Sequence, residues 1–86
     1  MIKKGLKDTG IFISSELSLV AALVAWNFPI HSIDKSEFKK VSFIFQKTPE
    51  LSRAVEAFWN ETDYIAPKKY FYALREVKSR IYGGQL

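Results

Sequence analysis

The chain has 86 residues, with 13 Lys or Arg against 9 Asp or Glu and no cysteine, which is enough for one hydrophobic core and too little for two. At 48% apolar and 26% charged it has the composition of a folded domain rather than a disordered one. Lacking cysteine, it forms no disulfide and no thiolate metal site, which suits a reducing cytosol. The longest apolar run, Leu19 to Trp26, falls well short of the roughly 20 residues that span a bilayer. Lys3, Lys4 and Lys7 precede that run as in a secretory leader, but Glu16 and three serines interrupt the apolar region such a leader needs, so no leader and a cytoplasmic location are expected. Without a leader, Asn60-Glu61-Thr62 is a chance match to a glycosylation acceptor.

In chain order, Gly10 to Ser14 is a β-branched and aromatic run that reads as a first strand. Ser14 or Ser15 is expected to cap a helix, with Glu16 in its first turn. Leu17 to Trp26 is apolar almost all round, the mark of a helix buried on more than one side. Asn27 stops it and Pro29 forbids its return. Ile30 to Ile33 reads as a weak second strand and Asp34 to Lys39 as a polar turn. Lys40 to Lys47 is the clearest strand, with Val41, Phe43 and Phe45 on one face and Ser42, Ile44 and Gln46 on the other. These two strands should form an antiparallel hairpin.

Thr48-Pro49-Glu50 is a strong helix start: a cap, a proline at the first position and an acid in the first turn. Leu51, Ala54, Val55 and Phe58 then recur at helical spacing, and Asn60 to Asp63 ends the helix. Asp63 to Ala66 reads either as a short edge strand or as extended chain before proline. Pro67 opens the last helix and Gly83-Gly84 closes it. The expectation is one α+β domain over residues 1–86, ordered β-α-β-β-α-(β)-α. Its sheet is small and mainly antiparallel, three- or four-stranded, with helices on one face. The first strand should lie beside the third, with a right-handed crossover joining the first to the second.

Charge singles out residues 67–82. They hold five bases, Lys68, Lys69, Arg75, Lys78 and Arg80, and one acid, Glu76, so they sum to +4, the net charge of the whole chain. On a wheel of about 100° per residue with Phe71 at zero, Val77, Tyr70, Ile81, Leu74 and Pro67 fall between about −120° and −40°. That arc is the expected packing stripe. Lys78, Tyr82, Arg75 and Lys68 follow between about −20° and +60°, with Tyr72 next to them, while Lys69, Arg80 and Glu76 lie on the back. Cations that contact phosphates beside tyrosines that stack on unpaired bases make an edge suited to nucleic acid. The plainer account is a solvated helix face, with Lys78 and Arg80 near a helix C-terminus and Glu76 and Arg80 paired four residues apart. An acidic protein surface is a third partner for the same charge. Lys39, Lys40, Lys3, Lys4 and Lys7 would lengthen the basic track if the fold gathers them.

Elsewhere the chemistry is thin. His31 is the single histidine, with Asp34 three residues on and no further ligand for a metal. Ser14 and Ser15 stand at a strand-to-helix junction without the glycines of a nucleophile elbow. The four glycines are scattered at 5, 10, 83 and 84, so no phosphate loop is present. Trp26 and Trp59, near the ends of the first two helices, are core residues or anchors of a protein interface.

Pro67-Lys-Lys-Tyr-Phe-Tyr-Ala-Leu-Arg-Glu-Val-Lys-Ser-Arg-Ile-Tyr82 resembles the C-terminal signature of a family of short proteins of bacteria and their phages, catalogued only as a domain of unknown function. Leu19-Val-Ala-Ala-Leu23, Phe43-Ile-Phe45 and Thr48-Pro-Glu-Leu51 are similar to its N-terminal part. The resemblance implies a single compact domain and brings no activity or cofactor with it. The expectation is a non-enzymatic binding protein without cofactor, metal or membrane attachment. It is nucleic-acid-associated through Lys68, Tyr72, Arg75, Lys78 and Tyr82. The alternative is a protein-interaction module using Trp26 and Trp59, either a homodimer or an inhibitor or accessory of a larger nucleic-acid enzyme.

Overall fold

The computed structural model describes residues 10–37 and 39–82. The elements are β1 (Ile11–Ser14), α1 (Leu17–Ala25), β2 (Ser32–Glu37), β3 (Lys40–Gln46), α2 (Pro49–Asn60) and α3 (Pro67–Tyr82). The three strands form one sheet in the order β1-β3-β2. Both outer strands run antiparallel to β3, so β1 and β2 are parallel to each other across it. This is the expected α+β arrangement, in its three-stranded form: residues 63–66 form no strand.

The strand alternation decides which face the helices cover. Phe12 pairs with Phe45 and Ser14 with Phe43, placing the two buried phenylalanines of β3 on the inner face. Ile11, Ile13 and Gln46 point the other way and stay exposed. On the inner face Phe43 and Phe45 join Leu19, Val20 and Leu23 of α1, Leu51 of α2 and Val77 of α3 in one buried cluster. Six of the nine residues of α1 are buried, as its all-round apolar sequence requires. α1 packs chiefly against α3 and also touches α2 and β1.

Helix ends follow local chemistry with one exception. Thr48 caps α2: its Oγ1 accepts from the Leu51 N–H at 3.0 Å, and Pro49 takes the first helical position. α1 and α2 both end in a left-handed residue, Asn27 at φ 76° and Glu61 at φ 56°. Around Asn27 the Phe28 N–H donates to the Leu23 carbonyl and the Asn27 N–H to that of Val24, both at 2.9 Å. Around Glu61 the Thr62 N–H donates to Ala57 at 3.1 Å and the Glu61 N–H to Phe58 at 3.2 Å. Each is a Schellman closure, built without glycine. The exception is the start of α1. Glu16, not a serine, holds the cap position, and no side chain caps the helix. Ser14 is still paired with Phe43 in the sheet, and its Oγ accepts from the Glu16 N–H at 3.0 Å. The strand therefore runs through the residue expected to cap, and Glu16 precedes the first turn instead of lying in it.

β2 departs further from expectation. It spans Ser32–Glu37, beyond Ile30–Ile33 and through most of the expected polar turn. Its sequence is a poor strand former. Pairing with β3 supplies the order, extended upstream by the His31 N–H donating to the Ile44 carbonyl at 2.7 Å. The register slips between Asp34 and Glu37, where the Asp34 Oδ1 accepts from the Ser36 N–H at 2.9 Å. The expected helix stop at Gly83-Gly84 lies outside the described residues.

Two substitutions test the caps by chemical denaturation. Thr48→Ala should cost about 1 kcal/mol of stability through the lost cap. Glu61→Gly should raise stability, by up to about 1 kcal/mol, by relieving the left-handed conformation of a residue with a Cβ.

Candidate nucleic-acid interface

α3 is amphipathic, and its packing sets which way its charges face. Ala73 and Val77 are buried and Tyr70, Leu74 and Ile81 half-buried. The Tyr70 hydroxyl donates to the Ser18 carbonyl of α1 at 3.4 Å, which makes Tyr70 a packing residue tied at its polar end. The stripe is centred on Val77 and includes Ala73. The expected stripe was turned toward Pro67, which is exposed. An alanine permits close approach of the two helix backbones, so α3 rolls toward Ala73 and lifts its other edge clear of α1.

That edge carries Lys68, Tyr72, Arg75, Lys78 and Tyr82, all exposed on one helix. Their spacing of three or four residues aligns them in a row about 21 Å long, at 1.5 Å of rise per residue. The row has a sixth member. Phe71 is 54% exposed, close to Tyr72 at 58% and Tyr82 at 66%. The rings of Phe71 and Tyr72 lie 5.9 Å apart at 55°, and the Arg75 guanidinium carbon sits 5.8 Å from the Phe71 centroid. Phe71 thus props Arg75 by a cation–π contact and adds apolar surface between the cations. The signal for it was in the wheel, where zero lies between Lys78 and Tyr82, inside the arc of basic residues and outside the expected packing stripe.

The remaining cations of α3 have local partners or none. Arg80 meets Glu76 at 3.4 Å, both partly solvated, an i,i+4 pair worth a few tenths of a kcal/mol. The two also line a cleft with Phe28, Pro29 and Ile30 of the α1–β2 connection. Lys69 is exposed. Lys39 and Lys40 are exposed at the β2–β3 end of the sheet, on different elements from α3. Lys3, Lys4 and Lys7 lie outside the described residues.

The two tryptophans differ. Trp26 is half-buried against the core, and its Nε1–H donates to the Tyr64 carbonyl at 3.3 Å, tying the 61–66 connection to the end of α1. Trp59 is 59% exposed, its ring edge-on to Phe58 at 4.9 Å. His31 is exposed. The Ser15 and Ser42 hydroxyls hydrogen-bond at 3.1 Å. Among the described residues no three His, Asp or Glu side chains gather as a metal site, and no helix is long and apolar enough to cross a membrane.

Residues 10–83 match the model of a protein family described as a domain of unknown function, DUF5659. The chain belongs to this family. The match takes in all six elements, from β1 to the end of α3. It attaches no activity to the basic-aromatic row. No curated protein and no solved structure matches the chain.

The ionisation of Asp34 is displaced by its local hydrogen bonds. Hydrogen bonds from Ser36, side chain and backbone, hold its carboxyl below the ordinary aspartate range. Because the folded value is depressed, its contribution to stability is present above the unfolded-state pKa of about 3.9 and fades as pH falls through the lower folded value. An NMR titration should place the Asp34 carboxyl below that of free aspartate, and Ser36→Ala should bring it part of the way back.

Proposed function

We propose that this protein is a non-enzymatic nucleic-acid-binding module of the cytosol that reads backbone charge and base faces with one edge of α3. The supporting observation is the exposure of three cations, Lys68, Arg75 and Lys78, in a row with three exposed aromatic rings, Phe71, Tyr72 and Tyr82. Cations alone would suit any polyanion. Rings more than half exposed are costly to leave in water, and unpaired bases are flat apolar surfaces that cover them. The combination favours single-stranded over duplex nucleic acid. The row is convex and continuous along a rigid helix, so it suits a strand laid across it and not a base held in a pocket. Cysteine is absent from the sequence, in keeping with a reducing compartment.

Fluorescence anisotropy with single- and double-stranded oligonucleotides across salt tests this reading. Three phosphate contacts correspond to a double-logarithmic salt slope of about −2 for single strands. Arg75→Glu with Lys78→Glu should abolish binding. Tyr72→Ala with Tyr82→Ala should weaken single-strand binding by about 1–3 kcal/mol per lost stack while affecting duplex binding less. Affinity weaker than about 1 mM at low salt, or an affinity indifferent to salt, overturns the proposal.

A further inference from the structure

Opposite charges are segregated in the second half of the chain. Residues 48–66 contain four acids, Glu50, Glu56, Glu61 and Asp63, and one base, Arg53, a balance of −3. α3 follows at once with five bases and one acid, a balance of +4. The acidic part is also a shaped surface. Trp26 lines two neighbouring open grooves, of about 540 and about 380 Å³, which share Asp63. Phe28, Ala54 and Ala57 give the larger groove its apolar lining, with Glu50, Glu56 and the one base, Arg53, beside them. Phe58, Tyr64 and Ile65 do the same for the smaller, beside Glu61. The Trp26 indole between them is held by its hydrogen bond to the Tyr64 carbonyl.

We infer that this acidic, aromatic-lined face receives the basic-aromatic edge of α3 from a second copy of the chain, reciprocally about a two-fold axis. Three observations carry the choice of occupant. The charges are complementary in sign and nearly equal in size. The exposed rings of Phe71, Tyr72 and Tyr82 meet a surface lined by aromatic and small apolar side chains, and Arg75 and Lys78 meet carboxylates beside an indole. The segment lining the smaller groove also runs directly into the first turn of α3 at Pro67, which sets that groove near the Lys68 end of the edge. A two-fold contact requires each copy to offer both surfaces to its partner at once. The contact is then made twice per dimer, which doubles the gain from a modest surface.

The dimer occupies the same α3 edge that the nucleic-acid reading uses, so a polyanion and the second copy exclude one another. The dimer itself does not depend on that reading. Its partner would be released by nucleic acid, and the free protein would be self-shielded until it meets one.

Charge exchange tests the arrangement by sedimentation velocity. The unaltered protein should dimerise at low salt and dissociate as salt rises. E56K/E61K makes both surfaces positive and R75E/K78E makes both negative, so each variant alone should lose dimer affinity about tenfold or more. Mixed in equal amounts, the two should pair, because both reciprocal contacts again join opposite charges. These four side chains are exposed, and circular dichroism checks that the fold persists; E56Q/E61Q, which only neutralises, serves if the reversal perturbs it. A monomeric unaltered protein at low salt, a groove variant that dimerises as well as the original, or a mixture that stays monomeric each overturns the inference. Monomeric E56K/E61K leaves its α3 edge open. If it dimerises with R75E/K78E but binds no oligonucleotide, the nucleic-acid reading falls and the dimer stands.

Discussion

Everything in this fold depends on the burial of α1. Leu19, Val20 and Leu23 sit in one cluster with Phe43 and Phe45 from the sheet, Leu51 from α2 and Val77 from α3. A helix this apolar cannot rest on a sheet with its back in water. At about 25 cal/mol per Å² of apolar surface, one exposed leucine-rich flank would cost several kcal/mol, a large part of a small domain's stability. The sheet covers one side of α1, and α2 and α3 must close the others. The exposed basic-aromatic row on α3 is a by-product of that closure: the stripe that seals α1 determines which residues of α3 are left outside.

Rotation about the α3 axis is therefore the decisive variable. The helix approaches α1 through Ala73 and Val77, with Tyr70 and Ile81 flanking. Had Ala73 been a larger side chain, the helix would stand off or roll back toward Pro67, and Phe71 would be drawn under it. Instead Phe71 is lifted to the surface, where it supports Arg75. A small residue in a packing stripe thus decides the exposure of an aromatic two positions earlier. Likewise the Trp26 hydrogen bond to Tyr64 ties the connection between α2 and α3 to the end of α1, and the indole lines both grooves.

Much of this was legible in residue order. Thr48-Pro49-Glu50 announced α2 because its cap is satisfied by neighbours in the chain, and Asn27 before Pro29 announced the end of α1 for the same reason. The alternation of Val41, Phe43 and Phe45 assigned the inner face of β3. Where expectation failed, the determinant was remote. β2 is a strand because β3 lies alongside it, although Ser32-Ile-Asp-Lys-Ser-Glu37 has little strand preference of its own. Ser14 does not cap α1 because Phe43 across the sheet holds it extended.

Five members of the candidate row, Lys68, Tyr72, Arg75, Lys78 and Tyr82, follow from helical periodicity and local charge, which are properties of consecutive residues. Phe71 falls in the same arc of the wheel, and the packing of α3 on α1 decides how far its ring is exposed, because periodicity gives the angle between side chains but not the angle of the helix to its neighbour. The acidic face around Trp26 was invisible for a related reason. Its lining comes from the end of α1, the length of α2 and the connection after it, and only the fold brings those stretches together. The sequence by itself therefore determined most of the elements, much of the core and the location of the net charge, wherever short-range chemistry settles them. Tertiary packing decided which rings meet water and which charges face one another, since those depend on distances between segments far apart in the chain.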